Sequence, residues 1–215
     1  MGKHFDRHLP IQKCDTVCSN CQIYAGLLFV WRDNKSIKLE KPLQNSMIKN
    51  SLLSVWFLKG GEHGIGNAEL LAKPLTAFFA SRQCSGVAIR AAMDWAVDQA
   101  RSKNPVISGF HSPLEQSVLE VMLTAGAPCV IVVARRLDQA HLPPGWLQAA
   151  AAGSAAVVSM DGTTRQLSAE MAERRNEWVA RHAARIVIGH VSVGGSLRRQ
   201  ADKWVRDGLG VDYLS

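Results

Sequence analysis

No apolar run in this sequence approaches the ~18 residues that a membrane-spanning helix needs. The first ten residues include His, Lys, Arg and Asp, so they lack the apolar core of a secretory signal peptide. The sequence also lacks internal repeats and low-complexity tracts. These absences predict a cytoplasmic protein with no membrane partner.

Cysteine is scarce, with five residues in 215, and an odd number does not fit the disulfide framework of a small secreted domain. Three of the five are crowded at Cys14, Cys18 and Cys21, with His4 and His8 upstream. Three thiolates at this spacing could hold zinc or an iron–sulfur cluster. The spacing also resembles the radical S-adenosylmethionine signature, but that family needs a barrel, which the following pattern does not predict. We therefore predict no metal and no cofactor, with this cluster as the alternative.

Positive charge is in excess, and most of the excess lies near the start of the chain. The formal net charge is +7. Residues 1–60 hold nine Lys and Arg against four Asp and Glu, whereas residues 61–215 hold sixteen against fourteen. A basic chain favours polyanionic partners, but composition alone does not establish nucleic-acid binding.

From Thr76 onward, short apolar runs alternate with segments of helical periodicity. The apolar runs predict strands at 76–80, 105–108, 129–133, 155–159 and 185–191. The periodic segments predict helices at 86–101, 113–126, 146–152, 168–183 and 196–207. This alternation indicates βαβ crossovers, so we predict an α/β, Rossmann-like, doubly wound and mainly parallel sheet of about five strands.

The boundaries of this domain are predicted at residues 67 and 215, with residues 1–66 as a small accessory segment. Two apolar runs lie in that segment, at 23–31 and 52–58. Gly64, Gly66 and Asn67 then predict a loop.

Small, polar and basic residues follow the predicted strands. Ligands of open α/β sheets bind beyond the carboxyl ends of the strands. Glycine and serine let the backbone approach a ligand, helix N-termini suit an anion, and arginine offers a planar donor fork to phosphate. Glycine and serine are also needed in ordinary turns that bind no ligand. The arginines at two of the strand ends are therefore the residues that favour an anion site. The predicted ligand-binding residues at these ends are Ser81, Arg82, Gly109, His111, Ser112, Glu115, Arg135, Gly194, Gly195 and Ser196.

Several of these residues have a purely structural alternative. Ser112, Pro113 and Glu115 have the spacing of a helix N-cap, a first-turn proline and a capping box. His111 could act as a general base or a ligand contact, although a hydrogen bond within the loop is the commoner role. We predict no catalytic residue.

Five ordered segments resemble the DNA-processing protein A (DprA/Smf) family, and more closely its short stand-alone relatives. The segments are 78–82 (FFASR), 106–115 (VISGFHSPLE), 130–135 (VIVVAR), 174–180 (RRNEWVA) and 191–196 (VSVGGS). The resemblance implies a Rossmann-like fold shared with cytokinin-activating phosphoribohydrolases. It further implies single-stranded DNA as ligand, a recombination protein as a partner, and pairing of two copies. By position it adds Arg175 and Asn176 to the pocket, with Arg82 and Arg135 as phosphate contacts.

The sequence departs from the patterns of these families in three places. Ala80 stands where the DprA motif has Gly before Ser-Arg, and residues 111–115 replace the usual Gly-Ile-Asp. The phosphoribohydrolase motif Pro-Gly-Gly-x-Gly-Thr-x-x-Glu is absent, because no Glu follows Ser196 within a turn. These departures count against the loading of a recombination protein onto DNA, and against hydrolysis, more than they count against the fold.

The leading hypothesis is therefore a non-catalytic, DprA-like protein that binds single-stranded DNA through a strand-end anion pocket. The alternative is a sensor or hydrolase of a nucleotide-derived small molecule in the same pocket. A third hypothesis is an interaction module in which the basic N-terminal segment holds a partner. A basic track leading from the pocket would favour DNA, and a closed pocket with a buried carboxylate would favour a nucleotide.

Overall fold

The computed structural model describes residues 53–137, 141–160 and 168–214, and the backbone of residues 21–24, 27–32 and 35–39. The described strands are β1 Cys21–Tyr24, β2 Leu27–Arg32, β3 Lys35–Leu39, β4 Val55–Phe57, β5 His63–Gly66, β6 Thr76–Ala80, β7 Val106–Ser108, β8 Cys129–Val133, β9 Ala155–Ser159, β10 Arg185–His190 and β11 Val211–Tyr213. The described α-helices are α1 Gly86–Arg101, α2 Pro113–Thr124, α3 Pro144–Ala151, α4 Ala169–His182 and α5 Ser196–Arg206. A short 3-10 helix spans Ala68–Ala72.

All eleven of these strands belong to one sheet, in the order β1-β2-β3-β4-β5-β9-β8-β7-β6-β10-β11. Six strands, from β9 to β11 in that order, run parallel to one another. The chain moves outward from β6 to β9 in one direction, and α4 then returns it to β10 on the other side of β6. The order therefore reverses between β6 and β10, which is the point where open α/β sheets bind ligands.

Two layers of helices cover the sheet. The core on one face combines α1, α2 and α3 with residues such as Phe78, Ile131 and Val157. The core on the other face combines α4 and α5 with residues such as Phe79 and Val130. All five residues of β8 are buried, which explains why its sequence, CVIVV, contains no charged residue. The predicted fold class is thus confirmed.

The sheet is larger than the sequence pattern predicted. The predicted loop at Gly64 and Gly66 is wrong, because these residues lie in β5, which pairs with the edge strand β9. A Cβ on Gly64 would lie 2.4 Å from ring atoms of Trp56, and one on Gly66 would lie 2.4 Å from the Ala155 carbonyl oxygen. These glycines allow close packing within a sheet, a role that resembles turn chemistry in sequence. Since β5 pairs with β9, the sheet continues across the domain boundary predicted at residue 67. That boundary stays a prediction.

Serine side chains cap three of the helices, and the cap at Ser112 was predicted from the sequence. The hydroxyls of Ser85, Ser112 and Ser168 accept hydrogen bonds from the first turns of α1, α2 and α4. Ser112 and Glu115 form the predicted capping box. These caps stabilise helix starts at the carboxyl edge of the sheet and fix where the candidate site residues lie.

None of the helices in the described residues is long and apolar enough to cross a membrane. Cys14 and Cys18 lie outside the described residues, and only the backbone of Cys21 is described. The alternative of a metal site at these cysteines therefore stays a prediction.

Candidate anion-binding site

Ser81 connects the ends of β6 and β10 at the switch point through two hydrogen bonds. The Ser81 backbone N–H donates to the His190 carbonyl oxygen at 2.9 Å, continuing the strand pairing. The Ser81 hydroxyl then accepts from the Ser192 N–H at 2.9 Å. Ser81 thereby holds the loop before α5 against the end of β6, and its hydroxyl has a structural role in that contact.

Glu115 ties the end of β6 to the loop between β7 and α2. Its side chain is buried, and one carboxylate oxygen accepts from the Ala80 N–H at 3.0 Å. The other accepts from the N–H groups of His111 at 2.7 Å and Ser112 at 3.2 Å. Burial raises the pKa of Glu115, while these three donors and the positive charge of Arg175 act to lower it. The carboxylate is occupied by protein donors, so we assign it to support of the site.

Arg175 reaches the same place from the opposite helical layer. It is buried on α4, and its side chain crosses over Gly109, just beyond the end of β7. A Cβ on Gly109 would lie 2.3 Å from the Arg175 Nε and 2.5 Å from its Cζ. Gly109 is therefore required as glycine, because only a residue without a side chain leaves room for the guanidinium.

The guanidinium of Arg175 is not fully satisfied by the protein. One terminal nitrogen donates to the Asn176 side-chain oxygen at 3.1 Å. Its Nε is the single buried side-chain nitrogen or oxygen without a hydrogen-bond partner in the part of the chain that the structure describes. Burial lowers the pKa of Arg175 and the Glu115 charge raises it, but an arginine stays charged in proteins. The site thus contains a buried cation that an anion would stabilise.

Two further basic residues, His111 and Arg82, belong to the same region of the site. His111 and Arg82 are both exposed. Partial burial lowers the pKa of His111, and the charges of Arg175 and Arg82 lower it further. Since this electrostatic effect requires proximity, Arg82, His111 and Arg175 form one cluster, which we call the basic cluster.

The turn that carries His111 has an unusual backbone. Phe110 has φ of +46°, a left-handed conformation that bulky residues rarely adopt. Its side chain is buried, and its N–H donates to the Ser108 hydroxyl at 3.2 Å. Strain of this kind is held by surrounding packing and concentrates at functional sites.

The start of α5 completes the site. The loop before it turns at Gly194, with φ of +70°, and Gly195 occupies the N-cap without a side-chain hydrogen bond. The first N–H groups of α5 therefore lack the serine cap that α1, α2 and α4 have. Asn176 fixes α5 against α4 through its 3.0 Å hydrogen bond to the Gln200 side-chain oxygen. An uncapped helix start of this kind suits an anion.

The structure brings most of the predicted site residues to one edge of the sheet. Gly109, His111, Ser112 and Glu115 surround the end of β7, and Arg175 joins them. Ser81, Gly194, Gly195 and Ser196 lie at the ends of β6 and β10. Arg135 follows β8 with an exposed side chain, and its described contact is the 2.8 Å hydrogen bond that its carbonyl accepts from Ser159. The ligand-binding role of all these residues stays a prediction.

Three positions in the site were not predicted. Ser192 and Gln200 support the loop and the helix before and after Gly195, and Phe110 holds the strained turn. Ser192 lies within the Gly/Ser-rich segment 191–196, so the sequence pattern could have identified it as a site residue. Gln200 has no such signal, because its partner Asn176 is distant in the chain.

A mainly parallel set of strands between two helical layers, with the strand order reversing at a switch point, defines a Rossmann-like α/β protein. No protein-family model and no curated protein matches the sequence. Among solved structures, the fold is similar to that of DNA-processing protein A from Helicobacter pylori, with a TM-score of 0.62 and 12% identity over 82% of this chain and 80% of that chain. The H. pylori protein has a single-stranded DNA binding mode.

A second similar structure is DprA from Streptococcus pneumoniae, with a TM-score of 0.60 and 18% identity over 71% of this chain. The match spans 54% of the S. pneumoniae chain, or about half its length. At these identities the similarity concerns the fold. The predicted DprA-like, Rossmann-like fold is confirmed, and the link to cytokinin-activating phosphoribohydrolases stays a prediction.

Proposed function

We propose that the protein binds single-stranded DNA, with a phosphate of the strand held by the basic cluster, without catalysis. The observation that carries this proposal is the buried Arg175 guanidinium, which has an unpartnered Nε and lies near the exposed Arg82 and His111. The one carboxylate beside it, Glu115, is occupied by three backbone N–H donors. The cluster therefore presents a surplus of donors and positive charge to a ligand.

The uncapped start of α5 and the DprA-like fold support the same proposal. Helix N-terminal N–H groups bind phosphate oxygens without regard to the attached base. The H. pylori protein with this fold binds single-stranded DNA. A recombination protein as a further partner and pairing of two copies are proposals that come from the family resemblance alone.

A small nucleotide-derived ligand is the second candidate. The buried carboxylate of Glu115 is the feature that would favour it, since a carboxylate can accept from a ribose or base. Both of its oxygens instead accept backbone N–H groups, so they do not face a ligand. We therefore prefer the phosphate backbone of a strand to a nucleotide recognised by Glu115.

Binding of a labelled single-stranded oligonucleotide, followed by fluorescence anisotropy over a salt series, tests the proposal. We expect affinity to fall linearly with salt on logarithmic axes, because phosphate contacts release counterions. Arg82→Ala should weaken binding about 10- to 150-fold, since a hydrogen bond to a charged group contributes about 1.5–3 kcal/mol. It should also reduce the salt slope by about 0.7 for one lost phosphate contact.

Arg101→Ala is the matched control for Arg82→Ala. Arg101 is an exposed arginine at the far end of the 16-residue helix α1, about 20 Å from its start. We expect it to change the affinity little. Absence of binding at low salt would contradict the proposal, and equal effects of the two substitutions would place the strand elsewhere.

His111 makes binding dependent on pH. Its pKa is lowered in the free protein by burial and by Arg175 and Arg82. A bound phosphate would offset those charges and raise this pKa, so binding takes up a proton. Affinity should therefore increase as the pH falls, and should continue to increase below about 6.5, the ordinary pKa of histidine, because His111 of the free protein takes up its proton only below that pH.

NMR titration of the His111 ring, with and without oligonucleotide, measures this linkage directly. We expect the His111 pKa to rise on binding, and His111→Gln to flatten the pH dependence of affinity. The ring resonances of His182, which stacks on Trp178 in the last turn of α4, are the internal control and should not shift when oligonucleotide is added. An unchanged His111 pKa at saturating oligonucleotide would remove His111 from the basic cluster's ligand site.

A further inference from the structure

Large exposed hydrophobic side chains are concentrated at the same edge of the sheet as the basic cluster. In the described ranges they are Val87, Ile89, Val193, Val205 and Tyr213. Val87 and Ile89 begin α1, Val193 lies in the loop before α5, and Tyr213 ends β11, all at the carboxyl edge. Val205, near the end of α5, is the exception. Four of the five therefore lie at the carboxyl edge, and two of them, Val87 and Tyr213, line one cavity.

A cavity of about 280 Å³ lies between two of these residues. Its walls come from the start of α1, the end of β10 and the end of β11. Val87, with 72% of its surface exposed, and Tyr213, with 47% exposed, both line this cavity. Ser85 and His190 are polar residues in its walls. The cavity therefore combines an aromatic ring and aliphatic groups with a few polar groups, the composition of a small-ligand site.

The wall of the cavity adjoins the candidate anion site through the end of β10. His190, in the wall of the cavity, accepts the hydrogen bond from the Ser81 N–H at the switch point. Val191, also in the wall, immediately precedes Ser192, whose N–H binds the Ser81 hydroxyl. A ligand with an anionic group at the switch point would thus place an adjoining group in this cavity.

We propose that this cavity is a nucleobase subsite, in which a base of the bound strand packs against the exposed ring of Tyr213. The proposal rests on the proposed function, because it requires a strand whose phosphates are held by the basic cluster and the neighbouring strand ends. A nucleobase fits the chemistry of the cavity, since its faces are apolar and its edges are polar. The volume is at the small end for ligand pockets, so it suits one base rather than a whole nucleotide.

The subsite recognises bases in general. Val87, Val191 and Tyr213 offer apolar or aromatic surfaces, which pack against the face of any base. Stacking on a single aromatic side chain strengthens strand binding without fixed hydrogen-bond readout. The basic cluster would then hold the backbone while Tyr213 distinguishes a strand with bases from one without them.

Two oligonucleotides of equal length, one normal and one with abasic sugars throughout, test this subsite by anisotropy. We expect the normal strand to bind about 5- to 100-fold more tightly than the abasic strand. Tyr213→Ala should remove that preference while leaving the affinity for the abasic strand unchanged. Tyr213→Phe keeps the ring and should retain the preference. Val205→Ala, at an exposed apolar position near the other end of α5, is the matched control.

The outcomes separate this proposal from the proposed function. Equal affinity for both strands would overturn the base subsite and leave phosphate binding intact. Absence of binding to either strand would overturn both. A Tyr213→Ala protein that keeps the preference would also overturn the subsite.

NMR of the intact wild-type protein gives a second readout that needs no substitution. The Val87 methyl resonances should shift on addition of the normal strand, through the ring current of the base. The abasic strand should leave them in place. Unshifted Val87 methyls at saturating normal strand would overturn the assignment of the cavity.

Discussion

Glu115→Ala is expected to lower the free energy of unfolding by about 3–5 kcal/mol, because each buried polar group left without a partner costs about 1–3 kcal/mol. The substitution leaves the N–H groups of Ala80, His111 and Ser112 without their acceptor. It also removes the negative charge that acts on the buried Arg175 guanidinium. Urea unfolding with linear extrapolation measures the loss.

Two variants calibrate this result. Glu120→Ala removes an exposed carboxylate from the same helix and should change stability by less than about 0.5 kcal/mol. Glu115→Gln keeps the side-chain volume but removes the charge and replaces one acceptor oxygen with an NH2 donor. Its loss of unfolding free energy should therefore lie between those of Glu115→Ala and Glu120→Ala. A Glu115→Ala loss below about 1 kcal/mol would mean that water replaces the carboxylate, contrary to its buried position.

Gly109→Ala is expected to reduce stability by about 1–3 kcal/mol, the usual cost of overpacking a well-packed position. The new Cβ would lie 2.3 Å from the Arg175 Nε, so the guanidinium has to move. Because Arg175 is the buried member of the basic cluster, we also expect about a tenfold loss of affinity for single-stranded DNA. Urea unfolding and oligonucleotide anisotropy on the same preparation measure both effects.

A double-mutant cycle isolates the contact between Gly109 and Arg175. In an Arg175→Ala background the side chain that clashes is absent, so Gly109→Ala should cost much less stability. Gly145→Ala is the matched control, since a Cβ on Gly145 in α3 would have nothing within 4 Å. Additive costs for Gly109→Ala and Arg175→Ala would show that the clash is relieved elsewhere.

Local sequence patterns predicted the alternating strands and helices because their causes are local. The buried run CVIVV predicts a strand covered on both faces, and β8 occupies those five residues. Ser112, Pro113 and Glu115 predict the start of α2, and the capping box is present. The strand β11 was not predicted, since three residues are too few to establish a period.

The capping-box interpretation of Glu115 was correct and incomplete. The spacing from Ser112 to Glu115 is visible in the sequence, whereas the hydrogen bond from Ala80 joins residues 35 positions apart. The approach of Arg175 to Glu115 joins two helices on opposite faces of the sheet. No periodicity or spacing contains that information, because it depends on how the helices pack.

The sequence by itself determined the α/β class, and it predicted the carboxyl edge as the candidate site with most of the residues that gather there. Residue alternation, helix caps and small residues at strand ends act over a few positions, so one chain segment contains their signal. Only the tertiary structure decided that Glu115 supports the site while Arg175 becomes a buried cation over Gly109. Only packing likewise opens the cavity at Tyr213, since three separate elements form its walls. Burial and long-range proximity set the charge and shape of the site, and both arise when the two helical layers close on the sheet.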